Sequence, residues 1–543
     1  MKHVSLIAIL MVVSICKVTA QQTIGLFTNT PQSYDGYTLF APIDSKETYL
    51  IDNCGRKVHS WTSQYNPGHS CYLLENGMLL RAGRMSGVGA GGIVEMIDWN
   101  SNVVWSYSTT GVYGSQHHDI EPLPNGNVLL IVQDNHTKAD AIQAGVAANV
   151  VSIISEQIVE VKPNLTTGGT SVVWQWKAWE HLIQDHDSMK MNYGVVAQHP
   201  ERIDLNFEQG ALLDWLHVNS IGYNAKFDQI ILSVHGFSEF WIIDHSTTTV
   251  EAKGRVGGNY GKGGDLLYRW GNPQAYRQGT ANDQKLFLQH NAHWIPEGYP
   301  DAGKIILFNN QAGTPYSKNY STVDVVNVPV NSVGEYTYSS GAYGPTGFDW
   351  TYKASTPTEF YSAVISGVQR MENGNTLICQ GVGGRFFEVD NTGNTVWEYV
   401  NPINGSGPMT QNTTPTQNNV FRCTRYAPTY PAFQGKTLTP QGYIESGSTY
   451  SCTLYPASVN DTKLENHISV YPNPTSDILN IHVDIQADYS IKLYNINGQC
   501  LVSKQVENNS ETIQLNISAL NSGVYFLSIS NGEEVKMEKV IID

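Results

Sequence analysis

A phrase of three short strands recurs along most of this chain and limits the folds that it can adopt. In residues 373–400 the phrase reads NGNTLIC, GRFFEVD and NTGNTVWEYV: a glycine turn with an apolar strand, a strand that ends in an acidic turn, and a strand that contains tryptophan. Apolar and polar residues alternate within each strand, which is typical of antiparallel sheets. Similar phrases occupy 49–61, 76–107, 125–176, 228–270 and 304–340, the first of these being the end of a split copy.

The spacing of the copies predicts the blades of a propeller. One blade cannot bury both of its faces alone, so several must stack around an axis. The six copies therefore predict an all-β fold with a six-bladed β-propeller, and one or two long β-sandwiches are the alternative. We expect the recurrent tryptophans to pack between blades rather than to contact a ligand: Trp61, Trp105, Trp174, Trp270 and Trp397.

Residues 177–213 interrupt the repeat. The stretch includes the polar sequence KAWEHLIQDHDSMK, which we expect to be helical. Insertions of this kind usually decorate one face of a repeat fold, often the binding face.

The charge balance excludes one broad class of function. The 543 residues include 48 acidic and 32 basic side chains, for a formal net charge of −16. A nucleic-acid-binding protein needs a basic face, so nucleic acid is not an expected partner. Hydrophobic residues make up 41% of the chain, which excludes wholesale disorder.

The first twenty residues have the layout of an export signal. A short polar start is followed by an apolar run, residues 6–15, and by small residues that end at Ala20. We expect cleavage after Ala20. A lipoprotein signal through Cys16 is the weaker alternative, because Ile15 precedes it where a small residue is expected. The apolar run is shorter than the roughly 20 residues that span a bilayer, and no later transmembrane segment is predicted.

Six cysteines remain after the signal is removed, and an oxidising compartment permits disulfide bonds. The pairs closest in sequence are Cys54 with Cys71 and Cys423 with Cys452, although pairing cannot be read from sequence alone. The chain has no CxxC motif, which disfavours a cysteine-based zinc site.

The composition changes after residue 449, which predicts a propeller over 21–450, a polar linker over 451–465 and a separate domain over 466–543. Short alternating strands joined by Asn-Pro, Asn-Gly and Ser-Gly turns predict a small β-sandwich there. Four phrases of this stretch resemble the C-terminal sorting domain of the type IX secretion system. They are YPNPTSD (471–477), YNINGQ (494–499), SGVYFLSI (522–529) and the final KVIID. The resemblance implies a Gram-negative bacterium, passage across the outer membrane through that machinery, and removal of the domain at the cell surface. An immunoglobulin-like binding module is the alternative.

Six histidines form three short clusters in the middle of the predicted propeller: His117, His118, His217, His235, His290 and His293. Each lies just before or after a predicted inner strand, and in a propeller such positions point toward the central channel or its mouth. Imidazole is a nucleophile and a proton shuttle at neutral pH. Neighbouring imidazolium and amide groups donate hydrogen bonds to anionic oxygens. The combination suits transfer of a sulfuryl or phosphoryl group. Asp119 and Asp214 keep a histidine-based metal site open as an alternative.

Four phrases occur in the chain in this order: HHD (117–119), DWLHVNSI (214–221), QHNAHW (289–294) and NGNTLI (373–378). They resemble bacterial arylsulfate sulfotransferases, in which similar phrases have the same order. The resemblance covers roughly residues 35–435. Those enzymes are six-bladed propellers that move sulfate from one phenol to another through a sulfohistidine, without a nucleotide sulfate donor. The resemblance implies that this chain uses no cofactor and no metal. By motif, His290 is similar to the nucleophile. His118 and His217 are similar to the pocket histidines, and Asn219 is similar to the pocket amide.

The chain departs from the family at one position. Where the family has an arginine in the strand after the HVNSI segment, this sequence has His235. Arginine is always charged and can bind two oxygens at once, whereas a neutral histidine does neither. We therefore expect weaker sulfuryl binding or a lower optimum pH. Arg269 and Arg277 are the candidates to reach the pocket instead.

The sequence thus predicts an exported sulfotransferase, at the cell surface or released, that uses an aryl sulfate donor and a phenolic acceptor in ping-pong kinetics. Its predicted catalytic residues are His290, His118, His217, Asn219 and His235. The main alternative is a non-catalytic cell-surface propeller that binds a ligand, which the missing arginine favours. A quinone-dependent dehydrogenase is a more distant alternative, and it would require a coloured bound cofactor.

Overall fold

A computed structural model describes residues 22–455 apart from 88, 110–113, 148–149, 208–213, 314–318 and 339, and residues 468–543 apart from 484–487, 497, 507–511 and 531–534. The chain separates into two compact units, Met1–Leu454 and Tyr455–Asp543. The predicted signal peptide, residues 1–20, and most of the predicted linker lie outside the described residues.

The first unit contains six antiparallel sheets of four or five strands among its described residues, and these are the blades of a propeller. After β1 (Gly25–Asn29), blade 1 takes β2 (Tyr37–Pro42), β3 (Glu47–Ile51) and β4 (Lys57–Thr62), and blade 2 takes β5 (Pro67–Leu73), β6 (Leu79–Arg84), β7 (Gly92–Ile97) and β8 (Val103–Ser108). Blade 3 takes β9 (Gln116–Pro122), β10 (Val128–Thr137), β11 (Ser152–Pro163) and β12 (Thr170–Lys177), with helix α1 (Lys138–Ala144) between β10 and β11.

The remaining blades follow an insertion that contains β13 (Leu182–Ile183) and β14 (Ile203–Asp204). Blade 4 takes β15 (Val218–Asn224), β16 (Gln229–Val234), β17 (Glu239–Asp244) and β18 (Tyr268–Trp270), with helix α2 (Thr249–Ala252). Blade 5 takes β19 (His290–Trp294), β20 (Ile305–Asn309), β21 (Thr322–Val326) and β22 (Trp350–Tyr352). Blade 6 takes β23 (Gly367–Arg370), β24 (Thr376–Gln380), β25 (Arg385–Val389) and β26 (Thr395–Val400), and it is followed by the hairpin β27 (Ile403–Asn404) and β28 (Gly407–Pro408) and by β29 (Val420–Tyr426).

Two strands close the ring of blades. The late strand β29 pairs with β2 and becomes the innermost strand of blade 1, and the early strand β1 pairs with β26 as the outermost strand of blade 6. The inner strands β29, β5, β9, β15, β19 and β23 each contact the next, and the last contacts the first. The six-bladed propeller and its split blade, both predicted from the repeat, are confirmed. In blade 5, however, the outermost strand is β22 and not the predicted stretch 335–340.

The recurrent tryptophans pack between blades, as predicted. All five are at most 4% exposed. Trp61 lies in a cluster with residues of blades 1 and 2, and Trp105 in a cluster with residues of blades 2 and 3. Indole N–H groups reach into the next blade, since Trp105 donates to Thr170 (3.0 Å) and Trp397 donates to the carbonyl of Asn53 (2.8 Å). Each tryptophan thus fills the wedge between two sheets and fixes their spacing.

The insertion after blade 3 is not the predicted helix. Its described residues form two short 3₁₀ turns, Ala178–His181 and Val196–Gln198, and the parallel pair β13 and β14. The side-chain amide of Gln184 donates to the carbonyls of Asp187 (2.8 Å) and Met191 (3.0 Å). Polar side chains that bond to nearby backbone in this way stabilise an irregular loop at the expense of a helix.

The disulfide bond joins Cys54 to Cys452, with the two Cα atoms 5.6 Å apart. The predicted pairs Cys54–Cys71 and Cys423–Cys452 are wrong, and Cys71 and Cys423 are free. Proximity in sequence misled the prediction because closure of the ring brings residues 398 positions apart together.

We expect the exchange Cys54→Ser to lower the free energy of unfolding of the first unit by about 2–4 kcal/mol, because the bond closes a very long loop in the unfolded chain. Urea unfolding of the full chain without reductant measures the change. Cys71→Ser removes a free thiol and is the matched control. A reductant should bring the wild type to the level of Cys54→Ser, and equal stability of all three proteins would contradict this role.

The second unit is a β-sandwich, as predicted, and its described residues form seven strands. One sheet has the order β30 (Ile468–Tyr471), β31 (Ile478–Val483) and β34 (Thr512–Asn516), and the other has β33 (Cys500–Val506), β32 (Tyr489–Asn495), β35 (Gly523–Ser530) and β36 (Val535–Ile542). Alternate residues of these strands point inward and form one core, which includes Leu479, Ile491 and Leu527.

Candidate active site

The inner strands of five blades begin in strained backbone. A residue other than glycine has a positive φ within two residues of the start of each: His69 (96°), His118 (54°), His217 (49°), Asn291 (58°) and Ser366 (90°). Such conformations cost about 1–3 kcal/mol each and tend to occur where a side chain must be held in a fixed direction. Register shifts in the strand pairing accompany them in blades 2 to 5.

Five imidazole rings form a continuous row at these strand ends. Neighbouring ring centroids are 5.0 Å apart for His69–His118, 4.6 Å for His118–His217, 4.9 Å for His217–His235 and 5.5 Å for His235–His290. The structure therefore brings together the four histidines predicted from sequence, and it adds His69. His290 is buried and the other four are partly exposed, so the row borders solvent and ends at an inner imidazole.

The contacts of His290 fix its tautomer. The amide nitrogen of Asn310 donates to the carbonyls of Ser362 and Ile365, both at 2.9 Å. The amide oxygen of Asn310 must therefore accept from His290, whose Nδ1 lies 2.8 Å away and carries the proton. Nε2 of His290 keeps its lone pair, which accepts a hydrogen bond from the Ile365 N–H at 3.2 Å. Burial, with a smaller contribution from neighbouring His235, lowers the pKa of His290 well below its ordinary value. His290 is thus a neutral imidazole with a defined nucleophilic nitrogen.

His118 is linked to a buried carboxylate through His117. Nδ1 of His117 lies 2.7 Å from Nδ1 of His118, and Nε2 of His117 lies 2.8 Å from a carboxylate oxygen of Glu156. Burial, reinforced by the imidazoles of His69 and His117, lowers the pKa of His118 well below its ordinary value.

His217 and His235 lie on the more open part of the row. Nδ1 of His217 is 2.5 Å from the carboxylate of Asp214. Burial alone would raise the pKa of Asp214, but the bond to His217 outweighs it and lowers that pKa. Burial lowers the pKa of His235 to about 3. In the free protein His235 is therefore neutral above that pH.

Asn219 is fully buried beside His290 rather than in the row of rings. Its amide nitrogen donates to the carbonyl of Gln289 at 2.7 Å, and its amide oxygen has no hydrogen-bond partner among the described residues. Asn219 therefore connects β15 to the residue that precedes His290.

Neither predicted replacement for the family's arginine lies at the site. Arg269 is buried against the carboxylate of Glu239, and Arg277 bonds to Asp204 at 2.7 Å. Arg422 of β29 instead lies close to the imidazoles, and its charge contributes to the lowered pKa values of His69 and His290. Its guanidinium is 4.7 Å from the ring of Phe421, which stacks on His69 at 4.7 Å. The sequence motifs around the histidines do not indicate that Arg422 belongs to the site.

Arg422 forms the centre of a buried network. Its Nη1 bonds to Asp119 (2.6 Å) and to the hydroxyl of Tyr72 (3.0 Å), and its Nη2 donates to the carbonyl of Asn219 (3.2 Å). The network joins inner strands of four blades. A cavity of about 440 Å³ lies at the carboxyl ends of these strands, and Tyr72, Arg422, Tyr223 and Trp294 contribute to its wall.

Within the described residues, no three side chains of His, Cys, Asp or Glu are grouped so that they could hold a metal ion. Nor does any helix in the described part of the chain have the length and apolar character needed to cross a membrane.

Comparisons with solved structures find distant likenesses. A protein of unknown function from Bacteroides caccae is 11% identical, with a TM-score of 0.38, and the match covers 72% of this chain and 99% of that one. A catalytically inactive virginiamycin B lyase from Staphylococcus aureus, solved with quinupristin, is 8% identical, with a TM-score of 0.32 and coverage of 72% and 91%. These likenesses carry no conclusion about function. None of the curated proteins matches this chain significantly.

Comparisons with family models are more informative. Residues 469–543 match the model described as a secretion system C-terminal sorting domain, so the second unit is a domain of that kind. Residues 29–419, well over half of the chain, match the model described as arylsulfotransferase (ASST), and they contain every histidine of the row. The chain therefore belongs to the arylsulfotransferase family.

Proposed function

We propose that this protein moves a sulfuryl group from an aryl sulfate to a phenolic acceptor, with His290 as the carrier. The observation that supports this most directly is the tautomer of His290. Because the amide oxygen of Asn310 accepts a hydrogen bond from Nδ1–H, Nε2 carries a lone pair at neutral pH without a separate base. Attack on sulfur requires that lone pair to give up its hydrogen bond from the Ile365 N–H. The lowered pKa keeps Nε2 unprotonated at neutral pH.

The neighbouring groups suit a sulfuryl ester. His235 lies next to His290 in the row, and His217 and His118 follow it; their N–H groups can donate to sulfuryl oxygens. Arg422 adds a fixed positive charge near the rings, although Asp119 partly neutralises it. Hydrogen bonds from fixed donors stabilise the charge that develops on the transferred group.

The proposed reaction has two half-reactions. In the first, Nε2 of His290 forms a bond to sulfur while the sulfur–oxygen ester bond breaks, and the departing phenol oxygen keeps the electron pair and gains a proton. In the second, an acceptor phenol loses its proton, its oxygen bonds to sulfur, and His290 departs with its electron pair. Transfer through a covalent intermediate gives ping-pong kinetics.

The proposal is tested by measuring the release of nitrophenol from nitrophenyl sulfate. Phenol is the acceptor and the full chain is the enzyme. We expect release to depend on phenol and to give parallel double-reciprocal plots. Because the pKa of His290 is lowered, protonation of the nucleophile should not reduce kcat/KM as the pH falls from 8 to 5. A folded protein that releases no nitrophenol with any phenol would contradict the proposal.

One observation favours a binding propeller without turnover. His235 is neutral where the family has a permanent positive charge, so the site holds less charge for an anionic ester. Binding of the aryl sulfate by calorimetry without any turnover would support this second candidate.

We also propose a route to the cell surface. It begins with removal of residues 1–20, and the sorting domain then directs the propeller, residues 21–450, through the type IX machinery. Mass analysis of the protein on the cell surface or in the medium should find the cleavage after Ala20 and the loss of residues 466–543. A chain retained whole inside the cell would contradict the route.

A further inference from the structure

Glu156, His117 and His118 form a linear chain of hydrogen bonds that leads from the protein interior to the row of imidazoles. Glu156 on β11 is fully buried, and one of its oxygens accepts from His117 at 2.8 Å. Its other oxygen accepts the N–H of Val218, the residue after His217, at 3.2 Å. The carboxylate is therefore held in place from two sides, and His117 lies between it and the partly exposed His118.

The contact between the two histidines allows two protonation states. Their Nδ1 atoms face each other at 2.7 Å, so a single proton lies between them. When His117 is neutral, its Nε2–H donates a hydrogen bond to Glu156 and its Nδ1 accepts one from Nδ1–H of His118, so that Nε2 of His118 has a lone pair. When His117 is protonated on both nitrogens, it donates to His118, whose Nε2 then carries a proton. His118 thus alternates between base and acid without becoming charged itself.

The surroundings place the extra charge on His117. Burial alone would lower the pKa of His117, but the carboxylate of Glu156 outweighs it and raises that pKa. The pKa of His118, in contrast, is well below its ordinary value. A proton taken up by the pair is therefore stabilised next to Glu156, one residue away from the substrate.

We propose that this relay protonates the leaving oxygen, so that the site accepts sulfate esters of weakly acidic phenols, such as alkylphenols, in addition to activated esters. The inference rests on the proposed function. In the first half-reaction the leaving oxygen takes the Nε2 proton of His118, and His118 takes a proton at Nδ1 from His117. In the second, the acceptor phenol returns a proton to Nε2 of His118, and the Nδ1 proton passes back to His117. His117 and Glu156 act through His118 and are positioning residues.

The test compares Glu156→Gln and His117→Gln with the wild type on a series of phenyl sulfates whose leaving phenols differ in acidity. General acid catalysis typically contributes about 10²- to 10⁴-fold. We expect the loss in kcat/KM to grow along the series, smallest for nitrophenyl sulfate and about 10²-fold or more for methylphenyl sulfate, because a poor leaving group needs the proton most.

Glu160→Gln is the matched control. Glu160 is on the same strand as Glu156 and bonds to Asn127 and His245, so its exchange should have an equal, small effect on every donor. An equal loss for all donors in Glu156→Gln would mean a merely structural role and would overturn the proposal.

A second measurement separates this inference from the proposed function. Nitrogen NMR of isotope-labelled histidine reports the protonation of His117 without any turnover. We expect Glu156→Gln to lower the pKa of His117, and an unchanged titration would overturn the relay. If the wild type transfers sulfate from no donor while the titration shifts as expected, the proposed function fails and the Glu156–His117 coupling stands.

Discussion

The exchange His290→Ala should abolish sulfuryl transfer, with a loss of about 10⁴- to 10⁶-fold in kcat/KM, the range seen when a covalent nucleophile is removed. The neighbouring imidazoles cannot replace it. His235 is 5.5 Å away between ring centroids, and the amide oxygen of Asn310 would lose the hydrogen bond that it accepts from His290. Release of nitrophenol in the presence of phenol measures the loss.

Two comparisons make this prediction specific. His199→Ala removes a histidine whose side chain is 40% exposed and pairs with Glu201, so it should retain the wild-type rate. His290→Gly leaves space for free imidazole, and added imidazole should restore part of the activity if the lost group is a nucleophile. Turnover of His290→Ala at a rate comparable with the wild type would contradict the account.

The exchange Arg422→Met should lower the free energy of unfolding by about 3–5 kcal/mol, which is the cost of leaving a buried carboxylate without its partner. Asp119 is fully buried and bonds to Arg422 at 2.6 Å. The same exchange removes the bonds to Tyr72 and to the carbonyl of Asn219, so it loosens the inner strands that hold the histidines. Urea unfolding of the full chain, followed through the transition of the propeller, measures the effect.

The double variant Asp119→Asn/Arg422→Met removes both charges and should recover part of the stability, since no unpaired ion remains. Lys226→Met is the matched control: Lys226 pairs with Glu297 at the surface, where the two side chains are 60% and 74% exposed. Its loss should change stability by less than about 0.5 kcal/mol. If Arg422→Met were as mild as Lys226→Met, the buried network would not support the inner strands.

The fold could be predicted from the repeat because the three outer strands of each blade alternate apolar and polar residues. The innermost strands lie outside the repeated phrase, and only the histidine clusters beside them indicate their positions. The inner strand β19, for example, reads HNAHW, with polar residues toward the channel and a positive φ at Asn291. Polar side chains toward the axis break the alternation that identifies a strand, although the same side chains make up the site. The Cys54–Cys452 bond was missed because it depends on closure of the ring.

The row of histidines was partly predictable because its members recur beside the inner strands of successive blades. Their supporting partners were not predictable. Asn310, Glu156 and Arg422 come from other strands or turns and act through contacts that only the folded chain creates. Arg269 was a wrong candidate because its partner, Glu239, lies on the neighbouring strand of its own blade and holds it there.

Direct detection of the sulfated enzyme would test the central claim most sharply. The full chain is mixed with nitrophenyl sulfate alone, quenched at neutral or alkaline pH and analysed by intact mass and peptide mapping. The account predicts one added sulfuryl group per chain, located on His290 and lost when phenol is added before the quench. An unmodified His290 in a protein that still releases nitrophenol, or a sulfuryl group on another residue, would contradict it.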